Sequence, residues 1–268
     1  MSKIEINNVT LDYVDKNQTF TAIKDVSISI EEGEFVSIIG SSGCGKSSLL
    51  SILEGLNFPT EGKVNIDGSE IKGTGLDRAV VFQHYSLFPW MTVRKNVAYG
   101  IKQANKSLPR KNLFEIADQF ITKVGLGNFK QKYPSQLSGG MQQRVAIARA
   151  LAMSPSILLM DEPFGAVDAK NRVLLQEMLL ELWEKSDEKK TVVFVTHDID
   201  EAILLSDRVI MMTGSPGQVR KELKIDFPRP RNREALMETR DYSNFRKELM
   251  STFFEDIAEK IGGDEVAI

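Results

Sequence analysis

Residues 40–47, GSSGCGKS, fit G-x-x-x-x-G-K-[ST], with a hydrophobic run before them and helical spacing after. Gly40, Gly43 and Gly45 let the backbone turn tightly enough to aim N–H groups at phosphate oxygens. Lys46 brings a point charge to the β and γ phosphates, and Ser47 a hydroxyl that can ligate Mg2+. Nucleotide contacts are assigned across the whole loop, to Gly40, Ser41, Ser42, Gly43, Cys44, Gly45, Lys46, Ser47 and Ser48. Cys44 is expected to present an accessible thiol whose alkylation blocks the site.

Two further runs deliver side chains suited to the same chemistry. In SILLMDEP, residues 156–163, an apolar run places Asp161 at its end, where a carboxylate can hold the magnesium hydration shell. Glu162 follows and is suited to polarise an attacking water as general base. TVVFVTHD repeats the arrangement and delivers His197, which can donate to a γ-phosphate or to that water. Gln83, ending the run RAVVFQ, carries an amide oxygen able to complete the metal shell, so Ser47, Gln83 and Asp161 form the expected Mg2+ set. A second phosphate-type site stands at YPSQLSGGMQQRVAIARA, where Ser138, Gly139 and Gly140 precede a helical run. A helix N-terminus attracts anions through its N–H groups and dipole.

These residues need strands that end at one edge and helices that start there. KIEINNVTLDYV and IKDVSISI alternate with the period of a strand, EFVSIIG runs into the glycine loop, and GKVNIDG and RAVVFQ read as further strands. From about Ser86 to Ala152 the pattern becomes helical and forms a separate lobe. SILLMDEP and TVVFVTHD are near-continuous apolar runs, as in parallel strands buried on both faces. Between them Leu174, Leu175, Met178, Leu179, Leu182 and Trp183 make a helical core stripe. The tail holds QVRKELKIDF, the link FPRPRNR and a helix with Phe245, Leu249, Phe253, Ile257 and Ile261 at steps of four. That stripe docks on the body or serves a contact between subunits.

With 268 residues the chain suits one large domain or two intimately packed lobes. A net charge of −3 removes the simplest argument for nucleic-acid binding. One cysteine excludes an internal disulfide and a multi-cysteine metal site, which fits a reducing compartment. No run approaches the roughly 18 apolar residues of a membrane span, and the start lacks a signal-peptide core, so a cytoplasmic location is expected.

Taken in order, GSSGCGKSS, VFQHYSLFPW, LSGGMQQR, ILLMDEP, GAVDA and VTHD resemble the ATP-binding subunits of ABC transporters over nearly the whole chain. The resemblance implies an α/β fold. Its parts are a P-loop NTPase (RecA-like) core, an antiparallel β layer and an inserted helical lobe at about 86–152, all within 1–227, with a C-terminal extension over 228–268. It also implies a head-to-tail pair of copies in which Ser138, Gly139 and Gly140 of one close over the nucleotide held by Lys46 and Ser47 of the other. By the same match Asp168 links the paired sites and Tyr13 stacks on adenine. Phe20 is the alternative to Tyr13, and sheet packing an alternative for both. Met141 stands where glutamine is commoner, Ser48 where threonine is frequent, and Glu54 where a small residue is usual.

The Pro-Trp pair in HYSLFPWMTVRKNV and the tail FPRPRNR are similar to importer ATPases for nitrate, sulfonate, taurine and pyrimidine-type solutes. That subgroup implies ATP with Mg2+, and a peripheral place on the cytoplasmic face of the membrane. Its permease subunits would be met through residues 84–96, and a solute-binding protein indirectly. Phe88, Pro89 and Trp90 would otherwise cap the helical lobe. The rival functions are an ABC-type ATPase acting on DNA or the ribosome, and a small-molecule P-loop kinase. The first usually brings a coiled-coil insertion or a second lobe, and the second leaves LSGGMQQR without a purpose.

Overall fold

The structure is a computed structural model and describes residues 2–15, 18–186 and 189–264, with side chains as far as Glu255. The chain opens with β1 (Ser2–Asp15) and β2 (Gln18–Glu31), whose buried and exposed residues largely alternate. β3 (Phe35–Gly40), buried at every residue, runs into the glycine loop and α1 (Lys46–Glu54). There follow β4 (Glu61–Ile66), β5 (Ser69–Glu70) and β6 (Arg78–Val81), then α2 (Val93–Ala104), α3 (Arg110–Lys123) and α4 (Gly139–Ala152). β7 (Ile157–Asp161), α5 (Ala169–Glu184), β8 (Thr191–Val195) and α6 (Ile199–Leu205) come next. β9 (Arg208–Thr213), β10 (Gln218–Lys224), α7 (Arg233–Met237) and α8 (Arg240–Asp264) complete the described chain.

Two compact units are formed, Met1–Thr74 with Val193–Ile268, and Gly75–Val192. In the first, an antiparallel sheet has the order β2-β1-β4-β5. Beside it β9 runs parallel to β3 and antiparallel to β10. The Thr196 N–H donates to Ile38 O, so the chain leaving β8 passes next to the end of β3, where the glycine loop begins. Ile39, Val209 and Met211 of the strands pack with Ala202, Ile203 and Leu204 of α6 and with Tyr242 and Leu249 of α8. Phe245 and Phe253 join this cluster, so the tail stripe docks on the body. The side chains of Ile257 and Ile261 lie outside the described residues.

In the second unit β6 and β7 are parallel, with Val81 opposite Met160. α2, α3 and α4 enclose Val93, Val97, Ala117, Ile121 and Val145, each fully buried. Each buried valine or isoleucine among them contributes roughly 1.5–3 kcal/mol. Thr92 caps α2 by accepting the Lys95 N–H, and Arg94 ties α2 to Asp118 of α3 at 2.8 Å. Regular helix begins only at Val93, since residues 84–92 form an irregular segment. The α5 stripe is narrower than expected. Leu175, Leu179 and Trp183 are buried and Met178 and Leu182 pack against the helical cluster, but Leu174 is 44% exposed. At about 100° per residue it stands at the margin of the arc that the others share.

Candidate functional site

The glycine loop owes its shape to backbone that only glycine adopts at ease. Gly43 and Gly45 have φ of 81° and 87°, and a Cβ on Gly45 would lie 2.3 Å from Ile23 Cγ2. Nothing lies within 4 Å of a Cβ placed on Gly43, so that side of the turn is open. No side chain caps α1, unlike α2, α5 and α6, which are capped by Thr92, Asp168 and Asp198. An uncapped helix start behind an open glycine turn fits a phosphate group. Lys46 is buried, and its Nζ donates to Gly40 O (2.8 Å) and Ser41 O (3.0 Å), folded back on the loop that it serves.

Cys44 departs from expectation. Its side chain is fully buried, with Sγ 3.8 Å from Lys46 Nζ and close under Gly40, where a Cβ would sit 2.5 Å away. The thiol packs beneath the loop, so the expected accessibility is corrected. Tyr13 lies beside the first turn of α1, with its hydroxyl 3.5 Å from Ser48 Oγ and accepting from Asn57 Nδ2 at 3.4 Å. Phe20 is its cross-strand partner, and both rings are exposed. Glu54, at the end of α1, is buried. His197 stands two residues past the end of β8 and is exposed, between Thr196 and the cap residue Asp198.

In the second unit the parallel register sends Gln83 and Glu162 out at one edge, each two residues beyond the paired Val81 and Met160. Gln83 thus lies past β6 rather than in it. Asp161 ends β7, and Glu162 has φ of 42°, a left-handed conformation that costs a non-glycine residue about 1–3 kcal/mol. Gly165 sits between the two: a Cβ there would lie 3.1 Å from Gln83 Nε2 and 3.7 Å from Glu162 Oε2. A hydroxyl, an amide oxygen and a carboxylate, as in Ser47, Gln83 and Asp161, are hard oxygen donors of the kind that suits Mg2+.

Ser138 caps α4, its Oγ accepting the Met141 N–H at 3.4 Å, so a main-chain group at residue 141 serves as well with methionine as with glutamine. A Cβ on Gly139 would lie 2.5 Å from Tyr85 Oη, and the Tyr85 hydroxyl also reaches Ala166 O at 3.5 Å. Tyr85 therefore joins the 84–96 segment to the Ser138–Gly140 turn and to the loop before Asp168. It was missed in the sequence because its partner Ala166 lies 81 residues away. Asp168 caps α5, accepting the Asn171 N–H (3.1 Å) and Nδ2 (2.7 Å), and the Asn171 side chain holds its carboxyl below the ordinary range. The three-residue spacing of this pair was a legible signal.

The 84–96 segment is braced from inside. Buried Asn96 accepts the Phe88 N–H (2.8 Å) and donates to Phe88 O and Met91 O. Arg149 donates to Ser86 O at 2.7 Å, and its burial lowers its pKa. The Phe88 ring packs on Trp90 and Tyr99 at 5.6 Å and 4.7 Å, yet Trp90 stays 69% exposed. A groove of about 400 Å³ opens alongside, floored by Met91, Ala98, Leu113 and Phe114 and rimmed by Lys95, Lys102 and Arg110.

A sequence model described as ABC transporter matches residues 23–165, more than half of the chain. An uncharacterised ABC transporter ATP-binding protein of Methanocaldococcus jannaschii is 47% identical over 97% of this chain and 94% of its own length. The chain belongs to the ABC transporter ATP-binding family. Further relatives of this ABC ATPase include the nitrate import ATP-binding protein NrtD of Synechococcus elongatus, 48% identical over 89% of this chain and 87% of that protein. The bicarbonate transport ATP-binding protein CmpC of the same organism is 49% identical over 86% of this chain, which spans only 35% of it. Among solved structures, a dimeric post-hydrolysis state of the ATP-binding cassette MJ0796 bound to ADP and Pi is similar at TM-score 0.73 and 37% identity. The match covers 84% of this chain and all of that one. The fold is accordingly that of an ABC ATPase, a P-loop NTPase with mixed α/β sheets, and the chain is an ATP-binding ATPase subunit. Among the described residues no helix is long and apolar enough to cross a membrane.

Proposed function

We propose that this ABC ATPase drives an importer for a solute of the nitrate, sulfonate or taurine type, working as a pair of copies beneath a permease at the cytoplasmic face of the membrane. The observation that carries this reading is the braced 84–96 segment, which holds Trp90 exposed beside a lysine- and arginine-rimmed apolar groove. A permease helix with an apolar face and acidic ends fits that groove. The names of the nitrate and bicarbonate relatives support the solute class.

Within the pair, Lys46 and the loop from Gly40 to Ser48 hold the phosphates, and Tyr13 takes the adenine. Ser47, Gln83 and Asp161 would hold Mg2+, which would supply charge neutralisation to the phosphates. Glu162 orients and deprotonates water, while His197 and Lys46 stabilise charge on the γ-phosphoryl oxygens. Ser138, Gly139 and Gly140 of the second copy close over the nucleotide, with Asp168 linking the two sites. Gln83 and residues 84–96 pass the closing movement to the permease, and a solute-binding protein confers selection.

The test is affinity capture from gently solubilised native membranes, with mass spectrometry of what co-purifies. Recovery of a multi-pass membrane protein with a solute-binding protein is expected. Recovery with ribosomes or nucleic acid alone would reject the importer reading and leave the ATP chemistry standing.

A further inference from the structure

α6 begins two residues after His197, and both of its ends are held by the C-terminal extension. At its start Asp198 accepts the N–H groups of Asp200 (2.9 Å) and Glu201 (3.1 Å). Thr196 Oγ1 accepts the Asp198 N–H at 3.0 Å and donates to buried Glu201 at 2.6 Å. The residues on either side of His197 are thus tied to the first turn of α6. In that same turn Asp200 Oδ1 accepts from the Tyr242 hydroxyl (2.7 Å) and from Arg246 Nε (3.0 Å), both on α8. Burial and this bond to Asp200 hold the Tyr242 hydroxyl above the ordinary phenol range.

The other end is held by the link FPRPRNR. A helix of seven residues leaves its last carbonyls, those of Ile203, Leu204 and Leu205, without intrahelical partners and has little stability of its own. Arg231 Nη1 donates to Ile203 O (3.1 Å), Leu204 O (3.1 Å) and Ser206 O (2.7 Å). Arg229 Nη2 donates to Leu205 O (2.7 Å) and pairs with Asp207 at 2.8 Å. Two guanidiniums thereby occupy the negative end of the helix, one of them only 2% exposed. Tyr242 and Leu249 meanwhile share an apolar cluster with Ile199, Ala202 and Ile203.

We propose that the C-terminal extension is a clamp that positions His197 through α6, with Arg229, Arg231 and Tyr242 as positioning residues, so that turnover requires the extension to be docked. The proposal rests on the role given to His197 above. A purely structural cap would lower the melting temperature but leave the environment of His197 and kcat of the folded enzyme unchanged.

The test uses the full chain labelled with 15N-histidine. Its two histidines, His84 and His197, give separate imidazole signals that a His84→Gln variant assigns. Tyr242→Phe, which removes one hydroxyl, is expected to shift the His197 signals and not those of His84. It should lower kcat about five- to twentyfold with KM for ATP within about twofold. Arg231→Gln should do more, and Arg231→Lys should restore part of the loss. Should Arg231→Gln fail to fold, Tyr242→Phe still decides. Unmoved His197 signals overturn the clamp, and so does an unchanged kcat where His197→Ala abolishes turnover. If His197→Ala hydrolyses ATP normally, the catalytic reading of His197 fails and the His197 signals alone judge the clamp.

Discussion

Glu162 combines an unusual backbone with a neighbour that has no side chain. Its left-handed φ and the bare Gly165 beside it aim the carboxylate toward the edge where Gln83 also emerges. Glu162→Gln keeps the shape and removes the base. Hydrolysis should fall by about 10²-fold or more while ATP still binds, and size-exclusion chromatography should show an ATP-dependent dimer. A variant that hydrolyses normally would remove Glu162 from the chemistry. Cys44 gives the second prediction at this scale. Because its thiol lies under Gly40 and beside Lys46, a maleimide should label it far more slowly in the native protein than in denaturant. Rapid native labelling would mean that the loop opens. The loop and its lysine were legible in the sequence because the spacing itself encodes the turn. The burial of Cys44 was not, since it depends on how the turn closes over its own residue.

At the scale of elements, the glycines at the start of α4 are not equivalent. A Cβ on Gly139 meets Tyr85 Oη at 2.5 Å, whereas one on Gly140 has nothing nearer than 3.4 Å. Gly139→Ala must displace the Tyr85 hydroxyl, the exposed tip of a side chain that can move, so it should cost little stability yet lower turnover about tenfold, while Gly140→Ala displaces no side chain. Denaturant midpoints measured alongside ATPase rates would check the order. Asn96→Ala removes the partner of the Phe88 N–H from a fully buried position and should destabilise the chain by about 1–3 kcal/mol, read as a lower urea midpoint. The strands at KIEINNVTLDYV, EFVSIIG, SILLMDEP and TVVFVTHD and the helix after Ser138 followed their periodicities. Residues 86–92, read as the start of the helical stretch, are irregular, and their bracing by Asn96 and Arg149 became visible only through hydrogen bonds that no local pattern encodes. The same holds for FPRPRNR, whose arginines read as a polar link although their targets lie some 25 residues earlier.

For the whole molecule, the test lies in separating hydrolysis from coupling. Trp90→Ala removes the exposed ring while leaving the phosphate loop untouched, so nucleotide affinity of the isolated subunit should stay within about twofold. Loss of an anchoring aromatic typically costs about 2 kcal/mol, and binding to detergent-solubilised permease should weaken about thirtyfold. Equal binding of wild type and variant would place the permease contact elsewhere. The chain's two tryptophans bear on how such events could be watched. Trp183 is buried, with its indole N–H given to Lys190 O at 2.7 Å, while Trp90 faces solvent. Their emission should therefore separate, blue for Trp183 and red for Trp90, with a soluble quencher reaching only the latter. The protein carries a built-in optical gauge: protection of the red component would report engagement of that surface in real time, against an internal reference that does not respond.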